Sequence, residues 1–271
     1  MTDLWPAEPE AADQAFYRSL GGGRYESSAA TVGPWSAKSQ HAGPPSALLG
    51  RAMEEHQARE GFRVARVTVE LPRPVPVAEL HVQVRTVRSG GRTELVEGEL
   101  TANGETVMLA RAWRIAAGPA DTPQLRPEAE PPPLPGPQTP HTMAGTQPYG
   151  YIAAMEWRFE PGKGFGTPGP GTVWARQRIP LVAGKPDTPL TRALTLADSN
   201  WAVAFQLDHV RQFVINTDIT LALHREPVGE WLCIRSATAA SPGGSGLAAG
   251  QLFDGVGDCG RILQTLMVAG R

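Results

Sequence analysis

The chain has 271 residues, 41% of them hydrophobic, and 25 Lys+Arg against 27 Asp+Glu leave a net charge of −2. That length fits one large domain or two of roughly 130 residues, and the balanced charge without a long basic run argues against nucleic acid as a partner. No apolar run reaches the roughly eighteen residues of a membrane span, and Met1-Thr2-Asp3-Leu4-Trp5-Pro6 has no basic stretch leading into an apolar one, so a cytoplasmic protein with no membrane partner is expected.

In the first half, His41-Ala42-Gly43-Pro44-Pro45-Ser46 leads into Leu48, Leu49, Ala52 and Met53 at helical spacing, with the prolines where a first turn tolerates them. Strand patterns follow at Val67, Val69 and Leu71, at Val82 and Val84, from Glu94 to Leu100 and from Thr106 to Ile115. Ser89-Gly90-Gly91 and Ala102-Asn103-Gly104 are hairpin turns by composition. Gly21-Gly22-Gly23 is a turn with no helical phosphate site behind it. This half reads as one buried helix and then four antiparallel strands.

Ten prolines lie between Ala117 and Gly150, and Pro131-Pro132-Pro133-Leu134-Pro135-Gly136-Pro137 pairs few backbone amides, so the stretch reads as a semi-rigid surface connector. Beyond it Met155, Trp157 and Phe159 alternate with polar residues, and a second strand runs from Val173 to Ile179. Thr188-Pro189 caps and opens a helix whose Leu190, Leu194, Ala197 and Trp201 share one face. Four strands close the chain, Phe213 to Leu223, Glu230 to Ala239, Gly246 to Phe253 and Arg261 to Val268. The second half therefore repeats the architecture of the first, and a lone helix per half is best buried by a sheet that curls around it.

Two polar residues sit where this pattern makes them costly. Asp198 falls inside the apolar stripe that starts at Leu190, where an ionised carboxylate needs partners or a task. Gln264 lies in a strand apolar on both faces, so its amide needs a buried partner. The cysteines, Cys233 and Cys259, form neither a disulfide framework nor a metal clip and read as reduced, buried thiols.

The chain resembles the double hot-dog acyl-CoA thioesterase II (TesB-like) family over nearly its whole length. The resemblance is carried by Leu196-Ala197-Asp198-Ser199-Asn200, by Asn216-Thr217-Asp218-Ile219-Thr220, by His224-Arg225-Glu226-Pro227-Val228-Gly229-Glu230-Trp231 and by Gln264-Thr265-Leu266, with His41-Ala42-Gly43 as the Gly-rich loop before the first helix. It implies an α+β double hot-dog fold, two curled antiparallel sheets each wrapped around one long helix. The expected units are an N-terminal domain 1–117, a linker 118–150 and a C-terminal domain 151–271.

The same resemblance implies Asp198 and Gln264 as catalytic residues. For the third position, commonly a Ser or Thr hydroxyl in the family, it points to Asn216, with Thr217 as the alternative on the opposite face of the strand. In the implied mechanism Asp198 takes a proton from a water held by Gln264 and Asn216, and the water attacks the thioester of acyl-CoA. Backbone amides near Gly43 stabilise the oxyanion. The acyl group lies in an apolar channel that Trp201 and Phe205 narrow, and the nucleotide phosphates meet basic groups among Arg85, Arg88, Arg92, Arg111, Arg176, Arg178 and Arg225. No cofactor or metal is implied, and a homo-oligomer is expected because exposed sheet edges and faces find partners.

Rival chemistry is poorly supported. Gly243-Gly244-Ser245-Gly246 is followed by Leu247 and is no nucleophile elbow. His41, His56, His81, His141, His209 and His224 form no paired metal motif. An enoyl-CoA hydratase of this fold resembles the chain but carries a His five residues after its Asp, where this sequence has Val203. A non-catalytic acyl-CoA or lipid-binding protein of the same fold is the alternative from a different class.

Overall fold

The computed structural model describes residues 15–119, 121–123, 125, 129–139, 149–205 and 211–270. The segment Met1 to Pro6, His141 and His209 lie outside the described residues.

A hairpin of β1 (Tyr17–Gly21) and β2 (Arg24–Ser27) opens the described chain. It turns on Gly21, Gly22 and Gly23 at φ of 82°, 60° and 78°, a region that favours glycine. After α1 (Gly43–Glu55) come β3 (Phe62–Glu70), β4 (Glu79–Ser89), β5 (Thr93–Ala102) and β6 (Glu105–Ala116). The second half contains α2 (Tyr151–Ala154), β7 (Met155–Phe159), β8 (Gly171–Gln177), α3 (Pro189–Ala197), α4 (Asn200–Val203), β9 (Gln212–Asn216), β10 (Asp218–Leu223), β11 (Leu232–Ala240), β12 (Ser245–Asp254) and β13 (Gly257–Gly270).

All thirteen strands join one antiparallel sheet, ordered β1-β2-β4-β5-β6-β3-β10-β13-β12-β11-β8-β7, with β9 paired to β13 off this path. The order is a palindrome about the β3–β10 seam, so β6 answers to β13, β5 to β12 and β4 to β11. The two curled sheets that were expected thus meet edge to edge as one. The seam pairs Glu70 with Asp218 through Arg66 with Ala222, and it makes the halves continuous.

The first helix spans its whole hydrophobic pattern, whereas the second is shorter than its own. α1 has thirteen residues and α3 nine. Thr188 and Thr191 form a capping box, with Pro189 in the first turn, as the sequence suggested. The helix then stops before Trp201, although the apolar stripe continues to it. Leu48, Leu49 and Met53 from α1 and Leu190 and Leu194 from α3 are at most 3% exposed and share one core with the inner sheet face. Such side chains each contribute about 1.5–3 kcal/mol on burial.

α1 and α3 cross closely because glycines lie at the contact. A Cβ on Gly43 would stand 2.1 Å from Thr195 O, and one on Gly50 would stand 2.2 Å from Leu194 Cδ1. The described part of the proline-rich connector packs on the second half. Pro132 O accepts from Trp174 Nε1 at 3.2 Å, Pro135 O accepts from Arg158 at 3.0 Å, and Gln138 bonds both backbone groups of Phe159.

Candidate active site

The site begins with the interrupted helix. In an unbroken helix Trp201 N–H would donate to Ala197 O. It donates instead to Gln264 Oε1 at 3.0 Å, while Gln264 Nε2 donates to Asp198 O at 3.3 Å and Asp198 Oδ1 at 3.2 Å. One buried amide from β13 thus replaces a turn of helix, ends α3 at Ala197 and turns the Asp198 carboxylate out of the apolar stripe.

Three donors from both halves of the chain meet that carboxylate, and a histidine stands beside it. Oδ1 also accepts from Asn216 Nδ2 at 2.9 Å, Oδ2 accepts from Ala42 N at 2.9 Å, and His41 Nδ1 lies 3.1 Å from Oδ2. Asp198 is 5% exposed, so these partners are what make its burial tolerable. Ala42 precedes α1, so the carboxylate of one half caps the helix of the other, at the positive end of its macrodipole.

His41 was legible only as part of the loop motif, and its contact with Asp198 is new. Its Nδ1 can take two arrangements: protonated, it donates to Asp198 Oδ2, and bare, it accepts from Gly43 N at 3.2 Å. The first leaves Nε2 a proton acceptor and the second makes it a donor, so the ring can accept or return a proton without moving. Tyr151 fixes its plane, with the two rings stacked at 3.6 Å between centroids and 8° apart. The Tyr151 hydroxyl is held by Thr195 O and Ser199 Oγ, each at 2.9 Å. Burial lowers the His41 pKa below its ordinary value, against the opposing pull of Asp198.

Asp198 opens onto a cavity of about 900 Å³, near the upper end for small-molecule sites. His41, Ala42 and Asn216 line it beside Asp198, and its apolar wall includes Trp35, Phe165, Trp201 and Phe205. Trp35 stacks on Trp201 at 6.1 Å and 14°, and Phe205 leans on Trp201 at 5.5 Å. β9 and the segment Leu71 to Val75 also line the cavity.

Sequence comparison identifies the family of the chain. The model of the acyl-CoA thioesterase C-terminal domain matches residues 124–268, more than half of the chain, and that of the N-terminal domain matches residues 31–115. The chain belongs to the acyl-CoA thioesterase family. As a member it is an enzyme that hydrolyses acyl-CoA thioesters to free acid and CoA.

Solved structures agree on the fold. An acyl-CoA thioesterase II from Mycobacterium marinum is 18% identical, with 94% of this chain and 95% of that one covered and a TM-score of 0.62. A tesB protein from Mycobacterium avium subs paratuberculosis is 16% identical, with 93% and 96% covered and a TM-score of 0.66. A protein from Alicyclobacillus acidocaldarius, described as having a hot dog fold, is 17% identical, with 97% and 100% covered and a TM-score of 0.69. No curated protein sequence matches the chain. Among the described residues no helix is long and apolar enough to cross a membrane.

The remaining residues singled out in this thioesterase fall into two groups. Asn216 reaches Asp198, whereas Thr217 Oγ1 turns to Thr265 O at 3.4 Å and is absent from the cavity wall. Trp201 lines the cavity. Gly43 does not: its N–H donates to His41 Nδ1 at 3.2 Å when that nitrogen is bare, and its missing Cβ admits α3. Arg225, expected at the phosphates, is held by a carboxylate. It lies outside the cavity wall, with NH1 on Asp254 Oδ2 at 2.5 Å, NH2 on Asp254 Oδ1 at 2.6 Å and Nε on Asp258 O at 3.0 Å. Arg85 and Arg111 pair with Glu97, and Arg176 pairs with Glu156 and Glu230. Cys233 and Cys259 are buried and free, and burial pushes both thiols up to about 12, so neither is a thiolate nucleophile near neutral pH.

Proposed function

We propose that Asp198 is the general base of this thioesterase and that its partners divide into those that hold it and those that serve the water. The observation that carries this reading is one nearly buried carboxylate, at the wall of an apolar cavity, met by donors from both halves of the chain. Gln264 is 0% exposed and lies outside the cavity wall, with its amide wholly committed to Asp198 and Trp201 N–H. It is a positioning residue rather than a water ligand, which changes the role expected from the family resemblance. Asn216 spends Nδ2 on Asp198 and lines the cavity, so its Oδ1 is placed to accept from the attacking water.

In this mechanism the water oxygen bonds to the thioester carbonyl carbon as its proton passes to the Asp198–His41 pair. The C–S bond then breaks, and His41 Nε2–H returns a proton to the CoA sulfur. The acyl group lies against Trp35, Phe165, Trp201 and Phe205. The working residues sit mainly in a C-terminal domain, 151–271, joined by the 118–150 connector to a domain 1–117 that supplies Ala42, His41 and Trp35.

Release of free CoA from short, medium, long and aromatic acyl-CoAs tests this reading. We expect turnover by the wild type and a loss of at least about ten-fold in Asn216→Ala. Unchanged turnover in Asn216→Ala would remove Asn216 from the water site. Tight binding of acyl-CoA with no turnover would favour the non-catalytic alternative. Because His41 reaches Asp198 from the other half, the panel includes an enoyl-CoA, whose hydration in place of hydrolysis would point to the hydratase.

A further inference from the structure

The sheet is open along one strand edge beside Asp198, and the chain keeps it open. β3 and β10 pair up to Glu70 and Asp218, and Leu71 N still donates to Thr217 O at 2.9 Å. Continued in that register, β3 would run along β9. Pro72 and Pro74 have no N–H to give, and the chain turns away, with Val75 O accepting from Gln40 N at 2.8 Å and Val77 N donating to Lys38 O at 3.1 Å. The gap left between Leu71–Val75 and β9 is the cavity.

The backbone groups that face this gap follow from the ladder. Val268 is opposite Val214, yet Val268 N donates to Gly244 O at 2.8 Å, on the side away from β9. Val214 is therefore in a non-hydrogen-bonded pair, and its own N–H and C=O point away from β13 into the gap. Alternation gives Gln212 and Asn216 the same direction, and Thr217 N, donating to Thr265 O at 3.0 Å, the opposite one. Among the described residues none pairs with these inner groups of β9.

Edge strands are ordinarily blunted by charge, proline or cover. Gln212-Phe213-Val214-Ile215-Asn216 has neither charge nor proline, and Phe213 and Ile215 are each 41% exposed at the rim. The matching overhang of β3, on the far side of the seam, is treated differently: Arg63 lies there and donates across to His224 O at 3.1 Å. Of the two overhangs, the one beside Asp198 is left unguarded among the described residues.

We propose that the open edge of β9 seats the pantetheine arm of the substrate as an added strand. This rests on the thioesterase reading and adds where the non-reacting part of the substrate binds. An acyl chain has nothing to offer backbone N–H and C=O groups. The arm has two amides in an extended chain, the chemistry by which a peptide adds to a sheet edge. With the thioester at Asp198 beside Asn216, the arm runs towards Gln212 over about 14 Å of strand, at about 3.4 Å per residue. The acyl group then takes the aromatic wall on the other side of Asp198.

The test compares kcat/KM for one acyl group carried on pantetheine, on N-acetylcysteamine with a single amide, and on ethanethiol with none. The wild type is expected to gain about two- to ten-fold with each amide. In Val214→Pro, which removes an inward N–H that the β13 ladder does not use, the pantetheine-to-ethanethiol ratio is expected to fall about five-fold. Equal kcat/KM across the three thiols in the wild type overturns the proposal, whether or not the variant folds, and so does a variant whose ratio is unchanged. Hydrolysis of all three without discrimination defeats the strand edge alone, whereas hydrolysis of none defeats the thioesterase reading along with it.

Discussion

β6 and β13 occupy matching places in the two halves, and each sends one polar side chain under its neighbouring helix. From β6, Arg114 donates to His56 O, the cap at the end of α1, at 2.7 Å and pairs with Glu94 at 2.8 Å. A cation at a helix C-terminus agrees with the macrodipole, and α1 runs its full thirteen residues to meet it. From β13, Gln264 reaches the middle of the corresponding helix and replaces one of its hydrogen bonds, so α3 stops at nine residues and Asp198 turns outward. The same architecture thus yields a scaffold helix in one half and a placed carboxylate in the other, according to where the buried polar group touches the helix.

The comparison can be broken from either side. Arg114→Met takes from Glu94, 2% exposed, its buried partner and leaves it Arg59 at 2.9 Å and Ser89 at 3.0 Å, and we expect a loss of about 1–3 kcal/mol in chemical denaturation, with kcat little changed in the protein that remains folded. Gln264→Met should do the reverse. With Trp201 N–H free to return to Ala197 O, the helix can close over the break, stability changes less than in Arg114→Met, and kcat falls about 10²-fold through misplacement of Asp198. Equal activity losses in the two variants would erase the distinction between the strands.

A pH series sharpens the contrast at the start of α1. Burial holds the pKa of His41 below its ordinary 6.5 in the folded protein, so below that value the unfolded chain binds the proton first. Stability then falls as pH drops through about 6.5 towards the folded-state pKa, and His41 contributes no slope above it. Denaturation of the wild type and His41→Asn at about pH 5.5 and 7.5 should show a shallower loss in the variant. The smallest effect is expected at Thr217→Val, within about two-fold in kcat/KM, because the hydroxyl points away from the cavity.

Much of this was readable in the chain because the relevant residues violated a local pattern. Asp198 inside an apolar stripe and Gln264 in a doubly apolar strand are anomalies wherever they occur, and Thr188-Pro189 marks a helix start by its own chemistry. The helix break was not readable, since the stripe from Leu190 to Trp201 continues across it and the amide that causes it comes from 63 residues downstream. The contacts of Asp198 with Ala42 and His41 join residues of opposite halves, and no spacing along either helix encodes them. The β1–β2 hairpin was missed because only its glycine turn stands out among the largely exposed positions of its two short strands. The partner of Arg225 was not readable either, since a guanidinium in a sequence does not reveal the carboxylate holding it.

The most direct test is the rate of CoA release by Asp198→Asn beside the wild type, on the best acyl-CoA of the panel, with CoA affinity measured on both proteins. The account predicts a fall of about 10²- to 10⁴-fold in kcat with CoA binding retained. An Asp198→Asn protein that turns over acyl-CoA at the wild-type rate would contradict it.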